Sequence, residues 1–315
     1  MLQYFHVGGV STMKKFFLLF FLAGTLTLSA LSGCATHEYA DTTESLIIGA
    51  EDLAALMGQD GVVFVDMQSP EDYAVSHLEG AVNIPSSDLV ISVPVANMLT
   101  SKAKVEEVMG ANGISNDSTV IAYDTDKMSA SRLLWTLYMY GFDRVKVVNG
   151  GFAAIQAAGL TVTDAVPSVT PASFTAGEAL GEYNVKMAYV KDFVDNPREG
   201  VTLLDVRSDE EYMTEGKIPT AVMYNYLENY YEDGTFKVKE MTRINYKERG
   251  IYPEDEIIIY CRSSFRAAPV FVQLYEAGYR NIKLYDGAFL EWSANASNPI
   301  ELPEGAAAPA KQDAS

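Results

Sequence analysis

One short run of this sequence carries residue types that could do covalent chemistry. Cys261-Arg-Ser-Ser-Phe-Arg266 follows directly on Ile257-Ile-Ile-Tyr260, an apolar stretch without alternation that predicts a buried parallel strand. The periodic residues from Arg266 to Ala277 predict a helix. Cys261 therefore opens a loop between the carboxyl end of a strand and the start of a helix, where α/β sheets place their ligand sites. Such a junction points backbone N–H groups into the loop. The helix dipole, with Arg262 and Arg266, makes it positive. A thiol in that setting is favoured as the nucleophilic thiolate, and an anionic substrate could be held beside it.

The elements that must position this loop occur twice. Val62-Val-Phe-Val-Asp66 matches Val201-Thr-Leu-Leu-Asp205, and Ser69-Pro-Glu-Asp-Tyr73 matches Ser208-Asp-Glu-Glu-Tyr212. His77-Leu-Glu-Gly-Ala-Val82 matches Lys217-Ile-Pro-Thr-Ala-Val222, and Val120-Ile-Ala-Tyr-Asp124 matches Ile257-Ile-Ile-Tyr-Cys261. Gly141 to Gly150 matches Gly278 to Gly287. The offsets run 205 − 66 = 139, 217 − 77 = 140 and 261 − 124 = 137, a drift that small loop insertions explain. Short apolar strands alternating with helices, Ser129 to Met139 among them, predict two tandem α/β doubly wound domains with parallel sheets. Their expected bounds are 46–160 and 183–300. Residues 161–182, with Pro167 and Pro171, are expected as a linker and 301–315 as a disordered tail.

The ordered, duplicated set of motifs resembles the rhodanese family, and within it the two-domain thiosulfate and 3-mercaptopyruvate sulfurtransferases. The resemblance covers residues 46 to 295. It rests on the strand ends Asp66 and Asp205, the turns Gly80-Ala81 and Pro219-Thr220-Ala221, Gly234-Thr235-Phe236, the Cys261 loop and Asp286-Gly287-Ala-Phe-Leu-Glu-Trp292. It implies a persulfide cycle at Cys261, with thiosulfate or a related anion as donor and cyanide or a thiol as acceptor. It implies that Arg262, Ser263, Ser264, Phe265 and Arg266 bind the donor. Arg207 matches a family position that reaches the donor, with a surface salt bridge to Glu210 or Glu211 as the competing expectation. Two departures bear on substrate. Ser264 stands where the family loop carries Gly, and Lys217 and Thr220 replace the His and Gly often found in that turn. The two loop arginines favour an inorganic dianion over mercaptopyruvate.

The first repeat carries Asp124 in place of Cys261 and Ser129 in place of Arg266, so it is expected to be non-catalytic and to form one wall of the cleft. Cysteine phosphatases use a related loop, but with five residues between Cys and Arg. Here there are the four from Arg262 to Phe265, and the smaller ring suits one sulfur better than a phosphoryl group. His37 and His77 are the histidines beyond the leader. A Cys–His dyad is not expected unless the domain interface brings His77 across. Zinc lacks ligands, and no metal or other cofactor is expected. The tyrosines 224, 226, 230 and 231 are expected chiefly as packing between the repeats.

The chain of 315 residues is 48% hydrophobic, with a mean hydropathy of +0.02, which excludes a multi-span membrane protein. Lys14 and Lys15 precede an apolar run from Phe16 to Ala30 that is short for a membrane span. It ends in Leu31-Ser-Gly-Cys34, which resembles a bacterial lipobox. The expectation is a lipoprotein signal peptide over 1–33, starting from Met1 or Met13, lipidation of Cys34, and a polar tether to residue 45. That predicts a lipid-anchored protein of the cell envelope, at the periplasmic face of the outer membrane in a Gram-negative host. Removing 1–33 takes away two lysines and no acids, so the formal charge of −19 becomes −19 − 2 = −21. Such a surface repels nucleic acid. Cys261 would then be a lone thiol in an oxidising compartment, a liability unless buried or used. A carrier that hands a persulfide or its selenium analogue to a redox protein, without turnover, is the alternative to an enzyme.

Overall fold

The computed structural model describes residues 37–41 and 44–304. The signal segment, Cys34 and residues 305–315 lie outside the described residues, and the folded body begins at Glu38.

Each repeat folds around a five-stranded parallel sheet. The first holds β1 (Ile47–Ile48), β2 (Val62–Asp66), β3 (Val82–Asn83), β4 (Thr119–Tyr123) and β5 (Val145–Val148) in the order β1-β5-β4-β2-β3. The second holds β6 (Asn184–Val185), β7 (Val201–Asp205), β8 (Val222–Met223), β9 (Glu256–Tyr260) and β10 (Ile282–Tyr285) in the order β6-β10-β9-β7-β8. Their helices are α1 (Pro70–Val75), α2 (Lys102–Ala111), α3 (Ser129–Met139) and α4 (Gly151–Ala157), then α5 (Met187–Asp195), α6 (Asp209–Glu215), α7 (Lys239–Lys247), α8 (Ala267–Glu276) and α9 (Ala288–Ala294). The two α/β sheets expected from the repeat are both present, in matching order.

Local chemistry sets the helix starts. Ser69 accepts from the Asp72 N–H with Pro70 in the first turn of α1, and Ser208 forms a capping box with Glu211 at α6. The central strands β4 and β9 are buried on both faces, which is why they read as continuous apolar runs. α3 is buried along its whole length and α8 over residues 267–274, because these two helices pack on each other. Tyr138 meets Phe271 and Tyr275 edge-on, with centroids 6.4 and 5.6 Å apart. One apolar core therefore runs from Leu46 in the first half to Leu284 in the second.

Three segments differ from expectation. Residues 161–182 form a docked strap instead of a loose linker. Val162–Thr163 pairs antiparallel with His77–Leu78. The N–H groups of Ala172, Gly177 and Leu180 donate to the carbonyls of Gly110, Tyr140 and Met139 at 2.9, 2.7 and 2.8 Å, and Phe174 is buried. The contact is close enough that a Cβ on Gly110 would come within 2.7 Å of the Ala172 oxygen. The end of the expected tether also belongs to the fold. Ala40 N–H donates to Gly278 at 3.0 Å, and Tyr39 lies between Tyr279 and the Arg243 guanidinium. At the other end, Glu301 exchanges two backbone hydrogen bonds of 2.9 Å with Lys217, so the second domain runs past residue 300.

Candidate active site

Cys261 follows β9 and is 1% exposed; it is the free cysteine among the described residues. Its carbonyl accepts the Phe289 N–H at 3.0 Å and that of Arg262 accepts from Leu290, which ties the loop to the start of α9. Ser264 has φ +66°, the left-handed region that costs a residue with a Cβ. It is the conformation that glycine adopts most readily. The Ser264 hydroxyl, fully buried, shares its proton between the carbonyl oxygens of Tyr285 and Asp286, both at 2.9 Å, and so anchors the strained turn.

The first-half loop displays what this backbone cradles. Lys127, equivalent to Ser264 (264 − 127 = 137), has φ +63°, and the Phe152 N–H donates to the Asp124 carbonyl at 2.8 Å. The Asp124 carboxylate sits inside its own loop and accepts the N–H groups of Lys127 at 3.1 Å and Ala130 at 2.8 Å. Burial, foremost, and the nearby Asp126 carboxylate push its pKa up to about 7, against those N–H groups. By the repeat offset of 137 the same positions in the second loop are Ser264 and Ala267, and the residue equivalent to Asp124 is Cys261. A cavity of about 130 Å³ beside Asp124 is lined in part by Tyr230 and Gly234 of the second half.

Both loop arginines are ion-paired. Arg262, exposed over 45% of its side chain, pairs with Glu215. Arg266 makes two bonds, 2.5 and 2.7 Å, to Glu211. Burial would raise the Glu211 carboxyl, but Arg266 and the Ser208 groups hold it down to about 2. The expected positive pocket is thus internally balanced by α6.

Arg207 is not the surface bridge that was one of the two expectations. It is fully buried, stacked at 3.8 Å on the Phe289 ring, and bonded to both Asp205 oxygens and to Gly216 O at 2.7 Å. It makes no surface bridge with Glu210 or Glu211; its Nη1 lies 3.7 Å from Glu215, the partner of Arg262. The first half makes the same strut with a neutral side chain, Gln68 bonded to Asp66 at 2.8 Å. That parallel was the signal in the repeat that marks Arg207 as structural. His77 is also structural: it is fully buried, stacked on Tyr73, with its ring nitrogens against the carbonyls of Tyr73 and Ala165.

The tyrosines divide. Tyr230 donates to Lys127 O at 2.7 Å across the halves, and Tyr224 packs on Tyr246, as interface and core packing. Tyr226 lies with Arg266 5.9 Å over its ring, and burial foremost raises the pKa of its phenol. Sequence reasoning missed the first-half residues that reach the loop: the Asn97 amide donates to the Ser263 hydroxyl at 3.1 Å, and Arg132 bonds Asp286 at 2.6 Å.

Fold and site together define a tandem α/β protein with one loop thiol and one loop carboxylate in equivalent positions. The family profile described as Rhodanese-like domain matches residues 49–158 and 187–295, and the chain belongs to the rhodanese family, with one copy of the domain in each half. It is similar to a thiosulfate sulfurtransferase of Corynebacterium glutamicum, 29% identical over 293 residues, 86% of this chain and 94% of that one. It is 31% identical over 229 residues to the sulfur carrier protein TtuD of Thermus thermophilus, 67% of this chain and 80% of that one. The crystal structure of YnjE superposes with a TM-score of 0.74 at 22% identity over 82% of this chain and 68% of that one, which speaks to the fold.

Proposed function

We propose that this protein is a sulfurtransferase that moves sulfane sulfur from thiosulfate to a thiophilic acceptor through a persulfide on Cys261. The observation that carries the reading is the Asp124 carboxylate held by loop N–H groups: the duplicated loop is an anion cradle, and the second copy offers it to a thiolate. The Cys261 Sγ attacks the outer sulfur of thiosulfate. The S–S bond of the donor breaks, and sulfite leaves with its electron pair. The cradle N–H groups stabilise the charged terminal sulfur of the resulting persulfide. Cyanide or a thiolate then attacks that sulfur, the Sγ–S bond breaks, and the Cys261 thiolate returns. Donor binding requires Arg262 and Arg266 to exchange carboxylate partners for donor oxygens. 3-Mercaptopyruvate is the next donor in order, since two arginines suit a dianion better. The lipobox-like Leu31-Ser-Gly-Cys34 supports lipidation at Cys34 and a place in the cell envelope, facing the periplasm from the outer membrane where there is one.

A second reading, a carrier that passes its sulfur to a protein partner without turnover, draws on the sulfur carrier among the relatives. Mass of the Cys261 peptide before and after thiosulfate, with a cyanide chase, separates them. A gain of one sulfur reversed by cyanide with thiocyanate formed is the enzyme result. A gain that cyanide leaves in place is the carrier result. No gain with either donor overturns both.

A further inference from the structure

The first half lacks the loop cysteine, yet it contacts the Cys261 loop at Ser263 and Phe265 and reaches Ser264 through Asp286. Asn97, on the turn between Val90–Ile91 and Met98–Leu99, donates to the Ser263 hydroxyl at 3.1 Å. Arg132 on α3 lies 5.6 Å over the Phe265 ring. Ser264 is held by the carbonyl of Asp286, and the Asp286 carboxylate is held entirely from the first half: Arg132 Nη2 at 2.6 Å and the Leu99 N–H at 2.8 Å. The same Arg132 nitrogen donates to the Asn97 carbonyl at 3.2 Å, and its guanidinium stacks at 4.4 Å on Trp135. Arg132 and Asp286 are each 3% exposed.

We propose that Arg132 is a positioning residue for the Cys261 loop, acting through Asp286 and Asn97. The inference rests on the sulfurtransferase reading of Cys261. Ser264 occupies a backbone conformation it would not choose, and it stays there because its hydroxyl has the Asp286 carbonyl to bind. Asp286 stays in place because Arg132 neutralises it; a buried carboxylate stripped of its partner relaxes toward water. When Asp286 moves, the turn at Ser264 loses one of its two carbonyl anchors, and the loop that carries Cys261 shifts with it. Such a buried pair contributes registry more than stability, and here the registry is between the two halves.

The test uses the full chain, with Cys261 followed by peptide mass. Arg132→Met is expected to slow sulfur loading from thiosulfate by about ten- to a hundredfold, with the donor KM little changed. The pH–rate profile for alkylation of Cys261 by iodoacetamide should move to higher pH. The charged and titratable groups about the thiol, Arg262, Arg266, Glu211, Glu215 and Tyr226, are untouched by this change. Arg132→Lys should recover part of the rate. Asn97→Ala, which removes one amide at a partly exposed turn, should slow loading by a smaller factor and serves if Arg132→Met does not fold. Wild-type loading rates and an unmoved alkylation profile in both variants would overturn the proposal, as would a lowered melting temperature with normal rates. If wild-type protein takes no sulfur, the functional reading falls, and the alkylation profiles still decide whether Arg132 positions the loop.

Discussion

Asp124 and Cys261 directly follow equivalent central strands, and each offers its carbonyl to a phenylalanine N–H, Phe152 at 2.8 Å and Phe289 at 3.0 Å. One scaffold thus presents a carboxylate in one copy and a thiol in the other. The carboxylate version is self-filled, because its own oxygens accept the loop N–H groups of Lys127 and Ala130.

Asp124 should leave a mark on stability. Its pKa is raised in the folded state, so the native protein binds more protons than the unfolded chain between the ordinary value of 3.8 and about 7. Stability from this group therefore falls as pH rises through that window. Asp124→Asn is expected to flatten the dependence, seen as a smaller difference in melting temperature between about pH 5 and about pH 8. An unchanged difference would mean that the carboxylate is not strained by its burial.

Glu211 has the opposite sign. Its folded-state pKa is depressed to about 2 from 4.5, so its contribution is fully present above 4.5 and is lost as pH falls toward 2. Glu211→Gln should remove that acid limb from a titration followed by circular dichroism. Its cost at neutral pH is on the order of 1–3 kcal/mol, because a partly buried Arg266 loses its counter-charge.

Glu215 is the carboxylate at the mouth. Its pair with Arg262 is half exposed and therefore weak. Glu215→Gln frees Arg262 for an incoming anion. Steady-state kinetics should show the KM for thiosulfate falling about two- to tenfold at low salt, an effect shrinking as salt screens the site. A raised KM would place Glu215 in donor binding instead.

Ser264 offers a two-variant comparison. Ser264→Ala keeps the left-handed strain and removes the hydroxyl anchor, so it should cost about 1–3 kcal/mol by denaturant melting. Ser264→Gly removes strain and anchor together and should cost less. If the two cost the same, the hydroxyl bonds and not the backbone conformation dominate at this position.

Much of this was legible in the sequence because the relevant forces are local. Apolar runs ending in Asp66, Asp205, Asp124 and Cys261 marked strand ends. The periodic stretches marked α3 and α8 to within a residue. What stayed hidden depends on partners distant in sequence. Arg266 meets Glu211 across 55 residues and Arg132 meets Asp286 across 154, and no spacing rule joins such pairs. The burial of Arg207 was hidden because a charged residue after a strand reads as exposed, whereas here it closes on Asp205 two positions back. The strap over 161–182 was hidden too, since prolines and small residues mark both loose linkers and extended segments that dock by backbone hydrogen bonds.

The core shared by α3 and α8 has a thermodynamic consequence. Two domains joined by a loose linker can melt one after the other, each with its own midpoint. Here neither half can lose its central helix without baring the other's, and the strap holds the first half's backbone as it leads into the second. The chain is double by ancestry of its motifs and single by cooperativity: heating it should give one unfolding transition whose calorimetric and van't Hoff enthalpies agree.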